Sequence, residues 1–186
     1  MGVTGRRLLA IGLVLAFGCD SGRETPTGPA TSKVDTPEQQ PLRGDAPFVG
    51  AWRTEGPVSV RLRCRPQAVA AGETFDLSVD FRVEPMWEIH SVGSDPTPGA
   101  TRLELTLPNE VTASEEWHLP VSSPSASPTG GRVYAGNFTV SRAMITTAAS
   151  PRGEKAIVCR VSFQACNPQQ CLRPCQIRLE SALLVK

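Results

Sequence analysis

Three of the chain's six cysteines fall within the thirteen residues FQACNPQQCLRPC, from Phe163 to Cys175. Thiols so spaced support three chemistries: a disulfide that staples a hairpin, a thiolate cluster that holds a metal, or a pair that opens and closes as it passes electrons. Cys166 and Cys171 flank Asn167-Pro168-Gln169-Gln170, a turn-forming run between two alternating apolar stretches. They stand at the mouth of a hairpin, where facing Cα atoms lie about 4.5–5.5 Å apart and within reach of a disulfide. A metal site would draw on Cys166, Cys171 and Cys175 with His90 or His118 as a fourth ligand. Its C-x4-C-x3-C spacing is not that of the usual zinc knuckles, and thiolate sites are less expected where thiols oxidise.

The remaining cysteines divide by face. Cys64, Cys159 and Cys175 each sit on the apolar side of an alternating run, as core hydrophobes or as halves of a buried disulfide. If the hairpin pairs Phe163 with Cys175, Cys159 lies opposite Leu179. Cys159 and Cys175 are then about 13 Å apart along the strands and do not bond to each other. Cys64 is left to reach either one, and a Cys64–Cys159 bridge is the favoured choice, with Cys175 unassigned. Loop size separates the roles. A Cys166–Cys171 bond closes about six residues and stabilises by about 2 kcal/mol, whereas a Cys64–Cys159 bond closes about 96 and is worth about 4.7 kcal/mol. The first can open without unfolding the domain; the second is a staple.

The elements that position these cysteines are short and alternating. Val58, Val60, Leu62 and Cys64 share a face against Ser59, Arg61 and Arg63. Phe75 to Val83, Leu103 to Leu107, Val133 to Val140, Ile157 to Phe163 and Cys175 to Val185 repeat the pattern, with Gly, Pro, Asn and Ser between them. A period of two with such breaks predicts antiparallel strands buried on one face. About seven of them in residues 57–186 predict an all-β fold, an immunoglobulin-like antiparallel β-sandwich. Ser141 to Ala149 is a candidate short helical turn, and Ser122 to Gly131 is a loop.

The first residues read as a leader. Arg6-Arg7 precedes a ten-residue apolar run, Leu8 to Phe17, too short to span a bilayer. Gly18-Cys19 follows, and this arrangement resembles the lipobox of bacterial lipoproteins. The resemblance implies cleavage after residue 18, lipid on Cys19, and a place in the bacterial cell envelope, anchored to a membrane and facing the periplasm. Disulfides persist there. Residues 19–56 are rich in Pro, Gly, Thr and Ser, which predicts a flexible tether spanning about 30–35 Å. Net charge is +1, with 19 Lys and Arg against 18 Asp and Glu, so no basic field exists to draw nucleic acid.

Beyond these signals, Phe163-Gln164-Ala165-Cys166 and Cys171-Leu172-Arg173-Pro174 resemble the paired-cysteine signature of the disulfide bond corrector family, the N-terminal periplasmic domain of the thiol:disulfide interchange protein DsbD. Met86-Trp87-Glu88-Ile89-His90-Ser91, Thr101 to Pro108 and Gly72-Glu73-Thr74-Phe75 are similar to other segments of that family, so the resemblance runs from about Val58 to Lys186. It implies a redox-active Cys166–Cys171 pair that takes electrons from a thioredoxin-like or membrane donor. The pair passes them to oxidised periplasmic client proteins, including those of cytochrome c maturation. It implies no metal or organic cofactor, and Cys171 as the sulfur that forms mixed disulfides. The sequence departs from the family in four places. Phe163 stands for a common Tyr, Arg173 for a Pro, Cys175 has no counterpart, and Val92 to Ala100, the expected place of an aromatic cap, carries no aromatic. The 186 residues show neither an electron-conducting membrane domain nor a thioredoxin domain, so the reductant is expected on another polypeptide.

Arg173, two residues beyond Cys171, is placed to stabilise a thiolate, although it reads first as a solvated strand residue. His90 and His118 are available as proton carriers and read as surface or loop residues; Trp87 reads as a packing residue. The alternative to a relay is a lipid-anchored binding or assembly module whose disulfides are purely structural, because fold does not settle function.

Overall fold

The computed structural model describes residues 47–93 and 99–186. The leader, Cys19 and most of the tether lie outside the described residues. In chain order the strands are β1 (Phe48–Val49), β2 (Arg53–Glu55), β3 (Val58–Arg65), β4 (Ala68–Val69), β5 (Thr74–Val83), β6 (Glu88–His90) and β7 (Arg102–Thr106). Then follow β8 (Val111–Ala113), β9 (Ser123–Pro124), β10 (Arg132–Ala135), β11 (Asn137–Thr146), β12 (Gly153–Phe163), β13 (Ala165–Cys166) and β14 (Cys175–Val185). They form an all-β, immunoglobulin-like sandwich.

One sheet runs β1-β3-β5-β11-β8, with β2 also on the edge of β3; the facing sheet runs β4-β14-β12-β7. A third sheet, β13-β6-β10-β9, lies at the end where the cysteine hairpin emerges. Every strand pair is antiparallel except β4 with β14. The core is built by alternation. Val58, Val60, Leu62 and Cys64 from β3, with Leu77, Val79 and Phe81 from β5, belong to one buried cluster with Ile157, Cys159, Val161 and Phe163 from β12 and Leu179 and Leu183 from β14. Each fully buried Val, Leu or Phe contributes about 1.5–3 kcal/mol by leaving water. A one-residue slip would turn that whole set outward, so the register is tightly specified. The hairpin register is Phe163 opposite Cys175 and Cys159 opposite Leu179, which meets the condition under which Cys159 and Cys175 stay apart.

Three expectations meet a different structure. The cross-sheet bridge between Cys64 and Cys159 is not formed, and both are buried free thiols. Cys64 Sγ meets Ser181 Oγ at 3.1 Å instead. Ser181 sits on β14 opposite Ile157, so Cys159 lies one strand over and two residues along from Cys64's partner. The docking of the two sheets therefore sets Cys64 against Ser181 of β14 and leaves Cys159 unbonded. Secondly, Ser141 to Thr146 continues β11 rather than turning as a helix, because Ser141 to Ile145 pair with Ser78 to Thr74 of β5 and Thr146 pairs with Val111 of β8; the turn comes only after Thr146. Thirdly, Gly136, at φ 65°, divides the run Val133 to Val140 into β10 and β11 and sends them to different sheets. The folded chain also reaches back before Val58. β1 and β2 pair with β3 in succession, so residues 48–55 finish the sheet edge.

Burial raises the Cys64 thiol from 9.0 to about 11, partly relieved by the Ser181 hydrogen bond. It raises Cys159 to about 12. The folded state keeps these protons at pH values where the unfolded chain has lost them. Their contribution to stability is therefore intact below about pH 9 and falls as pH rises towards 11 for Cys64 and 12 for Cys159, by about 1.4 kcal/mol per thiol per pH unit. Urea midpoints measured from pH 7 to 11 are expected to fall above pH 9 more steeply for the native chain than for Cys159→Ala; parallel curves would contradict this.

Candidate functional site

The polypeptide leaves β12 at Phe163, crosses to the third sheet at Ala165, turns, and returns to β14 at Cys175. Ala165 and Cys166 pair with Ile89 and Glu88 of β6, which ties the hairpin tip to the third sheet. The turn is closed by main-chain and side-chain hydrogen bonds that do not involve sulfur. Asn167 N donates to Gln170 O at 2.8 Å, and Asn167 Oδ1 accepts from Gln169 N and Gln170 N at 2.9 Å each. Leu172 N donates to Ala165 O at 2.8 Å, and Gln164 Nε2 donates to Leu172 O at 2.9 Å. Asn at the first turn position supplies the two Oδ1 bonds by folding its own side chain over the loop.

Within this frame Cys166 and Cys171 form a disulfide, with Cα atoms 4.0 Å apart. The two sulfurs are unequal. Cys166 is buried in the core, whereas Cys171 is half-exposed. Cys171 directly follows the exposed residues Pro168 to Gln170, whereas Cys166 is closed in beneath the turn.

A loop that the sequence marks only as polar lies against the exposed sulfur. Thr129 Oγ1 is 3.8 Å from Cys171 Sγ. The same oxygen lies 3.3 Å from His90 Nε2 and 2.9 Å from Ser127 Oγ. Ser127 Oγ is 2.7 Å from Ser125 Oγ, which donates to Glu88 Oε1. The Glu88 carboxylate also accepts from the main-chain nitrogens of Ser127 and Ala126. Thr129 of the segment Ser125 to Gly131 thus lies beside the pair; residues 94–98 of Val92 to Ala100, the expected place of a cap, lie outside the described residues. Ser125, Ser127 and Thr129 give no signal in the sequence, because their loop has no periodicity. The one available signal was the alternation of Glu88 and His90 around buried Ile89.

The two histidines part company. His118 is exposed and meets Glu115 Oε2 at 3.0 Å, away from the cysteines. His90, expected at the surface, is 2 % exposed. Its strand is short but central to the third sheet, opposite Val133 of β10, and its carbonyl accepts from the buried Thr101 hydroxyl. Trp87 packs against the core.

Cys175 is a half-buried free thiol at the start of β14. It lines a cavity of about 130 Å³ with Glu55, Leu172 and Arg173. Burial, followed by the nearby Glu55 charge, pushes its thiol up to about 11. Arg173 is exposed and lines this cavity beside Cys175, with no hydrogen bond to Cys171. A three-thiolate metal site does not form, since two of its sulfurs are bonded to each other; among the described residues no other cluster of His, Cys, Asp or Glu is arranged to hold a metal.

No protein-family model matches the chain, and no curated protein matches it. Among solved structures it is similar to the N-terminal periplasmic domain of ScsB from Proteus mirabilis, at 14% identity and a TM-score of 0.51. That match covers 73% of this chain and 51% of the other, so it spans about half of that protein's chain. A second similar structure is the GAE domain of GGA2p from Saccharomyces cerevisiae, at 11% identity and TM-score 0.38, covering 74% of this chain and 97% of that one. A third is an ASH/PapD-like domain of human CEP192, at 14% identity and TM-score 0.30, covering 72% and 92%. At these identities the likeness to the ScsB domain is one of fold.

Because the turn is held without sulfur, replacing both cysteines by alanine is expected to lower stability by no more than about 2 kcal/mol and to leave the β-sheet circular dichroism unchanged. A loss of 4 kcal/mol or more in urea unfolding would show the bond to be a staple.

Proposed function

We propose that this chain is an envelope thiol–disulfide interchange module that relays electrons through Cys166–Cys171, between a membrane or thioredoxin-like donor and oxidised client proteins. The observation that carries this reading is the asymmetry of the disulfide. It joins a buried cysteine to a half-exposed one, at the tip of a hairpin whose hydrogen bonds do not depend on it. The resemblance of the Phe163-to-Pro174 segment to the disulfide bond corrector signature supports it, as does the fold shared with a periplasmic domain. The lipobox-like Gly18-Cys19 supports tethering to a membrane, where donor and clients meet.

The chemistry follows from exposure. A donor thiolate attacks Cys171 Sγ; the Cys166–Cys171 bond breaks, and Cys166 leaves with the electron pair and takes up a proton. The donor's second thiolate attacks its own sulfur in the mixed disulfide, releasing Cys171 and leaving the donor oxidised. Two electrons and two protons now reside on the pair. Delivery runs in the opposite order. Cys171 attacks the client disulfide, and Cys166 then attacks Cys171, restoring the bond and leaving the client as a dithiol.

Titration with dithiothreitol or glutathione, with alkylated cysteines mapped by mass spectrometry, tests this. A relay requires a potential of roughly −180 to −270 mV at Cys166–Cys171. A value below roughly −300 mV would leave a structural bond and a binding or assembly module. In Cys166→Ser, Cys171 is expected to trap donor or client in a mixed disulfide that survives non-reducing electrophoresis.

A further inference from the structure

We propose that Glu88, acting through Ser125, Ser127 and Thr129, holds reduced Cys171 as a thiol between donor and client. Counting hydrogens along the chain carries the argument. A carboxylate only accepts, and a hydroxyl has one proton to give. Ser125 donates to Glu88 Oε1, so its oxygen can only accept from Ser127 Oγ, 2.7 Å away. Ser127 then has no proton left for Thr129, and must accept from it at 2.9 Å. Thr129 has thereby given its only proton away from the sulfur, and it presents lone pairs to Cys171 Sγ at 3.8 Å.

His90 gives the same answer from the other side. Its Nδ1 is buried with no hydrogen-bond partner. A proton there would be an unpaired buried donor, costing about 1–3 kcal/mol. The network therefore assigns the imidazole proton to Nε2, which donates to Thr129 Oγ1 at 3.3 Å and again makes that oxygen an acceptor. An acceptor facing Cys171 favours S–H over S⁻. In the disulfide there is no proton to accept. Reduction places one on Cys171 and one on Cys166, and the Cys171 proton then has a partner already in position. When a client disulfide is engaged, Cys171 releases that proton to solvent on its exposed side and forms the new S–S bond, while the client's other sulfur departs with the electron pair.

Where an aromatic cap would exclude oxidants by bulk, this arrangement protects the electrons by protonation, because the thiolate and not the thiol reacts. Glu88 and His90 are positioning residues here, since both act through Thr129. The other ionisable groups on the elements packed around them are Arg132 and Tyr134 of β10 and the hairpin cysteines. The Arg132 guanidinium is engaged with Ser122, and the Tyr134 ring packs at a tilt against Phe138. The loop Ser125 to Gly131 has no ionisable side chain.

The inference rests on the relay reading, but its test does not. Protein reduced chemically with a phosphine is reacted with iodoacetamide between pH 6 and 10, and modification of Cys171 is followed by mass spectrometry. Ser127→Ala frees the Thr129 proton to turn towards sulfur, and Glu88→Ala releases the whole chain. Each is expected to speed Cys171 alkylation at pH 7 about fivefold or more and to move its pH profile to lower pH. The double variant should go no further than Glu88→Ala alone, and Ser127→Thr should restore the native profile. Unchanged or slower alkylation in both single variants would overturn the proposal, as would a Ser127→Thr profile matching Ser127→Ala. A disulfide that resists dithiothreitol while these rates shift as expected would refute the relay alone.

Discussion

The structure depends on the antiparallel ladder between β12 and β14. It pairs residue with residue from Gly153 opposite Val185 to Phe163 opposite Cys175. This ladder delivers Cys166 and Cys171 to each other across a four-residue turn. Main-chain hydrogen bonds and one buried face hold it, and the disulfide only closes its tip. The small entropic weight of a six-residue ring means that the bond contributes little to holding the fold together. The core agrees: Cys64 and Cys159, the two thiols that could have formed a long-range staple, are free and buried.

Around the tip, two packing decisions divide the labour between the sulfurs. Cys166, on the β13 strand that pairs with β6, is buried, while Cys171 beyond the turn is half-exposed. The same strand β6 carries Glu88 and His90, so the element that buries one sulfur also brings the polar groups that reach the other through Ser125, Ser127 and Thr129. Residues 53–57 close the other flank: a Cβ on Gly56 would meet Leu172 at 3.5 Å, and Glu55 lies beside Cys175. Low-identity likeness to a periplasmic domain fits this architecture without naming a partner.

Much of this was legible in the residues. Alternation over Ile157 to Phe163 and Cys175 to Val185 gives the two strands and their buried faces, because a side-chain period of two excludes any odd slip of register. The Asn-Pro-Gln-Gln run gives the turn. What stayed hidden depends on relations between sheets or on irregular backbone. Alternation says that Cys64 points inward, but not that it meets Ser181 instead of Cys159; the docking offset of two sheets is a tertiary quantity. Ser141-Arg142-Ala143 lacks a strand pattern and is a strand only because β5 pairs with it. His90 sits on a three-residue strand, too short for periodicity to show its burial, and the serine-rich loop carries no period at all.

The central claim is that the Cys166–Cys171 bond opens while its surroundings stay folded. Amide hydrogen exchange of the full chain, oxidised and reduced, measures this residue by residue. The account predicts that β12 and β14 keep their protection on reduction and that the Leu172 amide, bonded to Ala165 O, stays slow, with changes confined to the amides from Cys166 to Cys171. Protection lost along the length of β12 and β14 in the reduced protein would show that the disulfide holds the fold, and would contradict the account.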